Sequence, residues 1–180
     1  VDNELNLSIK YDKYERRRTY KIDYVKWSNF LSYGEENYID LNNLNGLILV
    51  NSNPANQGGK TNFAIDLFHF LLFGVTSKYK KLEQLFNKNI ECKEFFVEGG
   101  IEVGGEKYKI VRTVKRAKKR DGSWGSVSQD VKYFQFLNGE YDELLDQNSK
   151  ETKNLQDEYS KKTNKVLLEV IGDEKDFDYI

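Results

Sequence analysis

The sequence predicts an α/β fold in which a phosphate-binding loop is combined with an antiparallel β region. Two observations carry this prediction. An apolar run at 47–50 leads into a glycine-bearing loop at 53–61 that ends in Gly-Lys-Thr, and a long apolar segment at 61–73 follows. Strand, loop, Lys-Thr and helix in this order are the arrangement of P-loop NTPases. Alternating apolar and polar residues within 94–137 predict the β region.

Length and composition limit the classes of protein to consider. A chain of 180 residues suggests one domain or one large lobe. With 28 basic and 29 acidic residues the net charge is −1, so there is no overall basic footprint for nucleic acid. A single cysteine, Cys92, excludes an internal disulfide and fits a reducing compartment, so we expect a cytoplasmic location, including the nucleoid or a phage-infected cell. No apolar run approaches the roughly 18–20 residues of a membrane span, and no signal peptide opens the chain. We therefore expect no membrane partner, and a start at Val1 without any Met suggests a processed or trimmed product.

The segments before the loop predict a polar tail followed by three strands. Residues 1–19 are polar and are expected to form a tail or an edge element. Alternation over 20–27 predicts a strand, and 38–41 predicts a second short one. An Asn-rich turn at 42–46 then leads to 47–50, whose four apolar residues predict a third, buried strand.

The segment 61–73 is apolar nearly all round, which predicts a buried helix. Gly74 is a plausible end for it. His69 within it is expected to be an ordinary core residue, and a functional role is the less favoured alternative.

The second half of the chain begins with a short helix anchored by apolar residues in 82–86. Three strands then fill 94–137, with a Gly-Gly turn after the first and an exposed basic loop at 115–122 after the second. An Asn-Gly turn at 138–139 ends this region. From 141 to 171 the chain is charged with sparse apolar residues, and we expect helix in two pieces.

The loop supplies the candidate nucleotide ligands. Loop amides and a helix start attract phosphate oxygens, a lysine adds charge near the β- and γ-phosphates, and a threonine hydroxyl can join the shell of Mg²⁺. Lys60 and Thr61 take the last two roles, with Pro54 standing where the usual pattern has glycine. The alternative is a flexible loop before a buried helix. The candidate ATP ligands are Asn56, Gln57, Gly58, Gly59, Lys60, Thr61 and Asn62.

A basic cluster between the second and third strands is a candidate contact for the DNA backbone. Such contacts are independent of sequence and weaken with salt. Trp124 nearby could stack on an exposed base. The alternative is a solvated hairpin tip. The candidate residues are Lys115, Arg116, Lys118, Lys119 and Arg120.

Five segments in order resemble the N-terminal lobe of an ABC-type ATPase head, closest to the SMC and SbcC group of DNA-repair ATPases, which includes the phage recombination endonuclease subunit. The first two segments correspond to the family's x-x-N-F-x-S stretch and to its short strand before the loop. The third corresponds to N-G-x-G-K-[ST], with glutamine in place of the first glycine. The last two correspond to the A-I…L-F-G helix end and to the G-x-x-x-x-F segment. The five segments lie at Trp27–Tyr33, Tyr38–Leu41, Asn56–Thr61, Ala64–Gly74 and Ile171–Phe177. The resemblance covers roughly 20–180.

The resemblance implies a fold, a function and partners. The fold would be a P-loop NTPase: the N-terminal lobe of an ABC-type head, with an antiparallel β subdomain around the buried phosphate-loop helix. Asn29 and Ser32 would lie near the nucleotide, ATP and Mg²⁺ would be the cofactors, and Thr61 would meet the metal. The partners would be a C-terminal lobe on the same or a separate chain, a second head, an SbcD-type nuclease and DNA.

The signature loop and the acidic Walker B strand of that family are not found in this sequence. Phosphoryl transfer needs a metal site, a positioned water and charge stabilisation. We therefore expect the chain alone to bind ATP weakly, to turn it over barely at all, and to act as the N-terminal half of a split or truncated head. The main alternative is a structural, DNA-holding or interaction module with a degenerate loop. A small P-loop kinase is a third, less favoured reading.

Overall fold

The computed structural model describes residues 20–53, 59–143, 163–165 and 167–172, without the side chains of 142 and 143. The strands are β1 (Tyr20–Ser28), β2 (Asn37–Asp40), β3 (Glu94–Val103), β4 (Glu106–Lys118), β5 (Trp124–Leu137) and β6 (Glu140–Glu143). They form one antiparallel sheet in the spatial order β2-β1-β3-β4-β5-β6. The fold is therefore α/β with an antiparallel sheet. The polar segment 1–19 lies outside the described residues.

Two short turns set the pairing of the long strands. Gly104 and Gly105, with φ of 61° and 88°, join β3 to β4, and Asn138 and Gly139, with φ of 51° and 93°, join β5 to β6. Positive φ at both central residues is the requirement of the type I′ hairpin turn, and glycine and asparagine meet it at low cost.

The second of these turns corrects one prediction. Residues 141–143 were expected to be helical, but they belong to β6, in which Glu140 pairs with Leu137 of β5. The Asn-Gly turn returns the chain directly alongside β5, so pairing begins before any helix can start. In the predicted range 141–171, the described helical residues are 163–165 and 167–171.

The helix after the loop is irregular. A π-helical segment, Asn62–Leu67, continues directly into α1 (Phe68–Phe73). With helical residues 60 and 61 it makes one stretch, 60–73, called the loop helix below. It ends at Gly74, which has φ of 74° and donates its backbone N–H to the carbonyl of Phe70 at 2.9 Å.

Only the C-terminal half of the loop helix is buried against the sheet. Leu71 lies on Gly99 of β3, where an added Cβ would be 2.4 Å from Leu71 Cδ2. Ala64 is exposed and Ile65 is 42% exposed, so the prediction of a helix buried all round is wrong for its first turns. The described residues place no surface over these two side chains. Asp66 is buried instead.

The predicted buried strand at 47–50 is also not observed. Leu47, Ile48, Leu49 and Val50 have no strand pairing, and Leu47 and Leu49 are 104% and 89% exposed. A strand needs neighbours for its backbone hydrogen bonds and cover for its side chains. The described part of the chain supplies neither beside this segment.

The core lies between the sheet and the helices. At its centre four rings from separate segments, Phe30, Phe70, Phe86 and Phe95, pack with centroid distances of 4.8–5.6 Å. The C-terminal helical segment (163–165 and 167–171) adds Thr163, Leu167 and Ile171, which share one helix face and are all buried.

Within the described residues, no helix combines the length and apolar character needed to cross a membrane.

Candidate functional site

The turn at 29–34 is held in an unusual backbone conformation. Asn29 and Leu31 have φ of 56° and 52°, in the left-handed region. The backbone N–H of Asn29 donates to the carbonyl of Gly34 at 2.9 Å, and its buried side chain donates from Nδ2 to the carbonyl of Glu94 at 3.4 Å. Asn29 therefore anchors the turn from inside, and the turn presents Ser32 at the surface.

This turn meets the start of the loop helix. Asn62 Nδ2 donates to Ser32 Oγ at 3.2 Å, and the Tyr33 hydroxyl donates to the carbonyl of Gly59 at 3.0 Å. Burial raises the pKa of Tyr33, which keeps its hydroxyl protonated as a donor. The structure thus brings Ser32 together with Gly59 and Asn62.

Gly59 is the tightest point of this junction. Its φ of 70° disfavours any residue with a Cβ, and an added Cβ would lie 2.4 Å from Ser32 Oγ. The backbone of Gly59 can lie this close to the turn only because it carries no side chain.

Lys60 and Thr61 follow directly at the helix start. The ammonium of Lys60 donates to Ser52 Oγ at 3.2 Å, so the chain just before the loop is tied to the chain just after it. Thr61 is exposed. A lysine and a hydroxyl at the first turn of a 14-residue helical stretch form a favourable environment for an anion. The remaining predicted ligands, Asn56, Gln57 and Gly58, lie outside the described residues, as does Pro54.

A metal site is not formed by these residues alone. The described part of the chain contains no group of three or more His, Cys, Asp or Glu side chains that could hold a metal ion. Thr61 remains the predicted contact to Mg²⁺.

The basic cluster is placed differently from its prediction as a loop. Lys115, Arg116 and Lys118 belong to β4, which extends to Lys118, and only 119–123 forms the turn. Lys115 pairs with Glu94 at 3.5 Å, and Lys118 forms an ion pair with Glu91. The hydrogen bond and charge of Lys118 lower the pKa of Glu91. The exposed turn therefore presents Lys119 and Arg120.

Arg116 has a structural environment. Its guanidinium lies 4.0 Å from the ring centroid of Phe86 and 3.8 Å from that of Trp124, and Nε donates to the carbonyl of Cys92 at 3.0 Å. Cation–π contacts and a hydrogen bond thus hold this side chain, and it covers part of the Trp124 ring that was considered for base stacking. A cleft of about 420 Å³ opens beside this stack.

Sequence reasoning missed the complete burial of two charged side chains, Arg112 and Asp66. Arg112 is fully buried, although the alternation of β4 already placed it on the same face as Ile110 and Val114. Asp66 is also fully buried; its Oδ1 accepts hydrogen bonds from the backbone N–H and the hydroxyl of Ser77, at 3.0 and 2.8 Å. No sequence signal pointed to Asp66, because the π-helical segment changes which side chains face inward.

No protein-family model and no curated protein matches this chain. A solved structure of the recombination mediator protein RecF-ATP in the RecFOR pathway is similar to part of it, with a TM-score of 0.47 and 17% sequence identity. The match covers 69% of this chain and 29% of that chain. Similarity at this level does not assign a function.

Proposed function

We propose that this chain is a nucleotide-binding lobe of an ATPase that acts in DNA repair or recombination, of the SMC and SbcC type. The observation that carries the proposal is the junction between the phosphate-binding loop, which the sequence pattern singled out, and the turn at 29–34, which the resemblance singled out. The turn bearing Ser32 and Tyr33 is hydrogen-bonded to Gly59 and Asn62, on either side of Lys60 and Thr61.

The residues present fit a nucleoside triphosphate. Gly59 offers backbone that lies close to the turn because no Cβ intervenes, and Lys60 offers a charge that is already positioned by Ser52. When bound, ATP would supply the phosphates for Lys60, and Mg²⁺ would supply charge neutralisation beside Thr61. Asn56, Gln57 and Gly58 would complete the loop, and Ser32 and Asn62 would flank it.

The exposed apolar segment supports a partner lobe. Leu47 and Leu49 lead directly towards the loop and are 104% and 89% exposed. Exposed apolar side chains on a segment without strand pairing favour the addition of neighbouring elements. We propose that a C-terminal lobe supplies these elements together with the missing acidic groups, so that hydrolysis requires that lobe. A second head, an SbcD-type nuclease and DNA are the further partners proposed.

Lys60→Ala is expected to weaken Mg-ATP binding at least tenfold, because one charged hydrogen bond to phosphate contributes about 1.5–3 kcal/mol. Isothermal titration calorimetry on the full chain measures this directly. Lys78→Ala, which removes one exposed lysine outside the junction, is the matched control and should bind as the wild type does. Equal binding by Lys60→Ala and Lys78→Ala would contradict a phosphate site at Lys60.

A DNA contact at the 119–123 turn is a separate proposal with its own test. Replacing Lys119 and Arg120 together by alanine should reduce the slope of log K against log salt by about 1.8, since each lost phosphate contact removes about 0.9. The double variant Lys78→Ala and Lys80→Ala removes the same charge from another exposed segment. Fluorescence anisotropy with duplex DNA over a salt series gives the slopes, and equal slopes in both variants would place the contact elsewhere.

The alternative function is an interaction or DNA-holding module that does not hydrolyse ATP. The exposed apolar segment at 47–50 is compatible with it as well, because a protein partner could cover the same side chains. Wild-type chain that binds no Mg-ATP, alone or with its C-terminal lobe, would favour this module.

A further inference from the structure

Arg112 links the far end of the loop helix to the C-terminal helical segment. Its side chain is fully buried. Nε donates to the carbonyl of Leu71 at 2.7 Å and Nη2 to that of Leu72 at 2.8 Å, while Nη1 donates to Asn164 Oδ1 at 2.9 Å. One guanidinium therefore holds the last carbonyls of the loop helix and a side chain of the 163–171 segment at the same time.

Burying the charged guanidinium of Arg112 costs more free energy than a role in packing alone would explain. Burial lowers the pKa of Arg112 to about 9, which leaves the guanidinium charged at neutral pH. Within the described residues no carboxylate forms an ion pair with it. Its charge is balanced by the negative end of the helix dipole and by an amide oxygen. Apolar side chains of similar volume often stabilise a core as well as buried ions do, and in some proteins a buried ionic group instead specifies one arrangement over another.

The loop helix also contains a segment whose hydrogen-bonding pattern differs from that of the α-helix after it. Its π-helical segment, Asn62–Leu67, lies between the phosphate end at Lys60 and the carbonyls held by Arg112. Conversion of a π turn to α-helix shifts the following residues by one position, which is about 1.5 Å along the axis. Hydrogen bonds of 2.7–2.8 Å would not survive such a shift of their acceptors unless Arg112 moved with them.

We propose that Arg112 couples occupancy of the phosphate site to docking of the C-terminal helical segment, through the loop helix and Asn164. This coupling rests on the proposed nucleotide function and adds a regulated partner segment to it. Arg112 acts as a positioning residue that does not touch the nucleotide. Because coupling between two binding equilibria is reciprocal, release of the 163–172 segment would also change ATP affinity.

Asn164 offers the test, since its side chain is only half-buried and its replacement leaves Arg112 in the core. Hydrogen exchange of the 180-residue chain, read by mass spectrometry with and without Mg-ATP, reports the opening of 163–172. In the wild type, Mg-ATP should change the exchange rates there at least five-fold, the lower end of usual coupling strengths. Asn164→Ala should lose that response, and Asn164→Asp, which keeps the acceptor oxygen, should retain it. Lys165→Ala on the same segment is the control, and its response should equal that of the wild type.

The outcomes separate the two proposals. Mg-ATP binding with unchanged exchange at 163–172 in the wild type overturns the coupling and leaves the nucleotide function intact. A response in Asn164→Ala equal to that of the wild type overturns the route through Arg112. Calorimetry that shows no Mg-ATP binding, by the chain alone or with its C-terminal lobe, overturns both the nucleotide function and the coupling that depends on it.

Discussion

Phe95→Ala is expected to lower the free energy of unfolding by about 3–5 kcal/mol, the usual cost of removing a buried phenylalanine ring. Phe95 is fully buried and its ring contacts those of Phe30, Phe70 and Phe86. These rings come from the site turn, the loop helix and the segment after it, so one cavity would loosen three segments. We also expect weaker Mg-ATP binding, because Phe30 lies two residues before Ser32.

Urea unfolding followed by circular dichroism measures this loss of stability. Phe136→Ala is the matched control, since Phe136 is 41% exposed and its ring lies 5.1 Å from that of Tyr141 between centroids. Its replacement should cost about 1 kcal/mol, the worth of one aromatic pair. Similar midpoints for the two variants would show that the aromatic cluster does not hold the core together.

Gly74→Ala is expected to lower the free energy of unfolding by about 2–5 kcal/mol. Its φ of 74° makes an L-residue strained by about 1–2 kcal/mol. The added Cβ would lie 2.9 Å from Arg112 Nη1, and forcing a buried, hydrogen-bonded group aside adds about 1–3 kcal/mol. The same displacement would break the hydrogen bond from Arg112 to Asn164.

Comparison with Gly104→Ala separates the clash with Arg112 from the backbone strain. Gly104 has a similar φ of 61°, but an added Cβ would meet nothing within 4 Å. Its replacement should therefore cost the backbone strain alone, about 1–2 kcal/mol. Thermal unfolding of both variants gives the difference, and equal losses would mean that Arg112 moves aside at no cost.

Several elements could be predicted because they depend on neighbours in sequence. The Gly-Gly and Asn-Gly turns require positive φ, and the alternation of Tyr108, Ile110, Arg112 and Val114 matches the two-residue period of a strand. The helix after Thr61 and its end at Gly74 follow from local patterns in the same way. The grouping of Asn29, Ser32 and the loop came from a resemblance, and the structure places Ser32 beside Gly59 and Asn62.

The predictions that were wrong concern burial and pairing. The run at 47–50 is apolar, but whether it is a buried strand depends on neighbours that the described residues do not provide. The basic residues of 115–122 looked alike in sequence. Cross-strand pairing gave Lys115 the partner Glu94, while Lys118 forms an ion pair with Glu91, which precedes β3. The rings of Phe86 and Trp124 enclose Arg116.

The sequence by itself determined the order of the elements, the turns, and the chemistry available around Lys60, because propensity, backbone restriction and charge are properties of short segments. Only the tertiary structure decided that Ser32 and Tyr33 meet Gly59 and that Arg112 joins the loop helix to Asn164. Those contacts join residues between 26 and 52 positions apart. Their formation depends on how the sheet, the turn and the helices pack together, which no local pattern encodes.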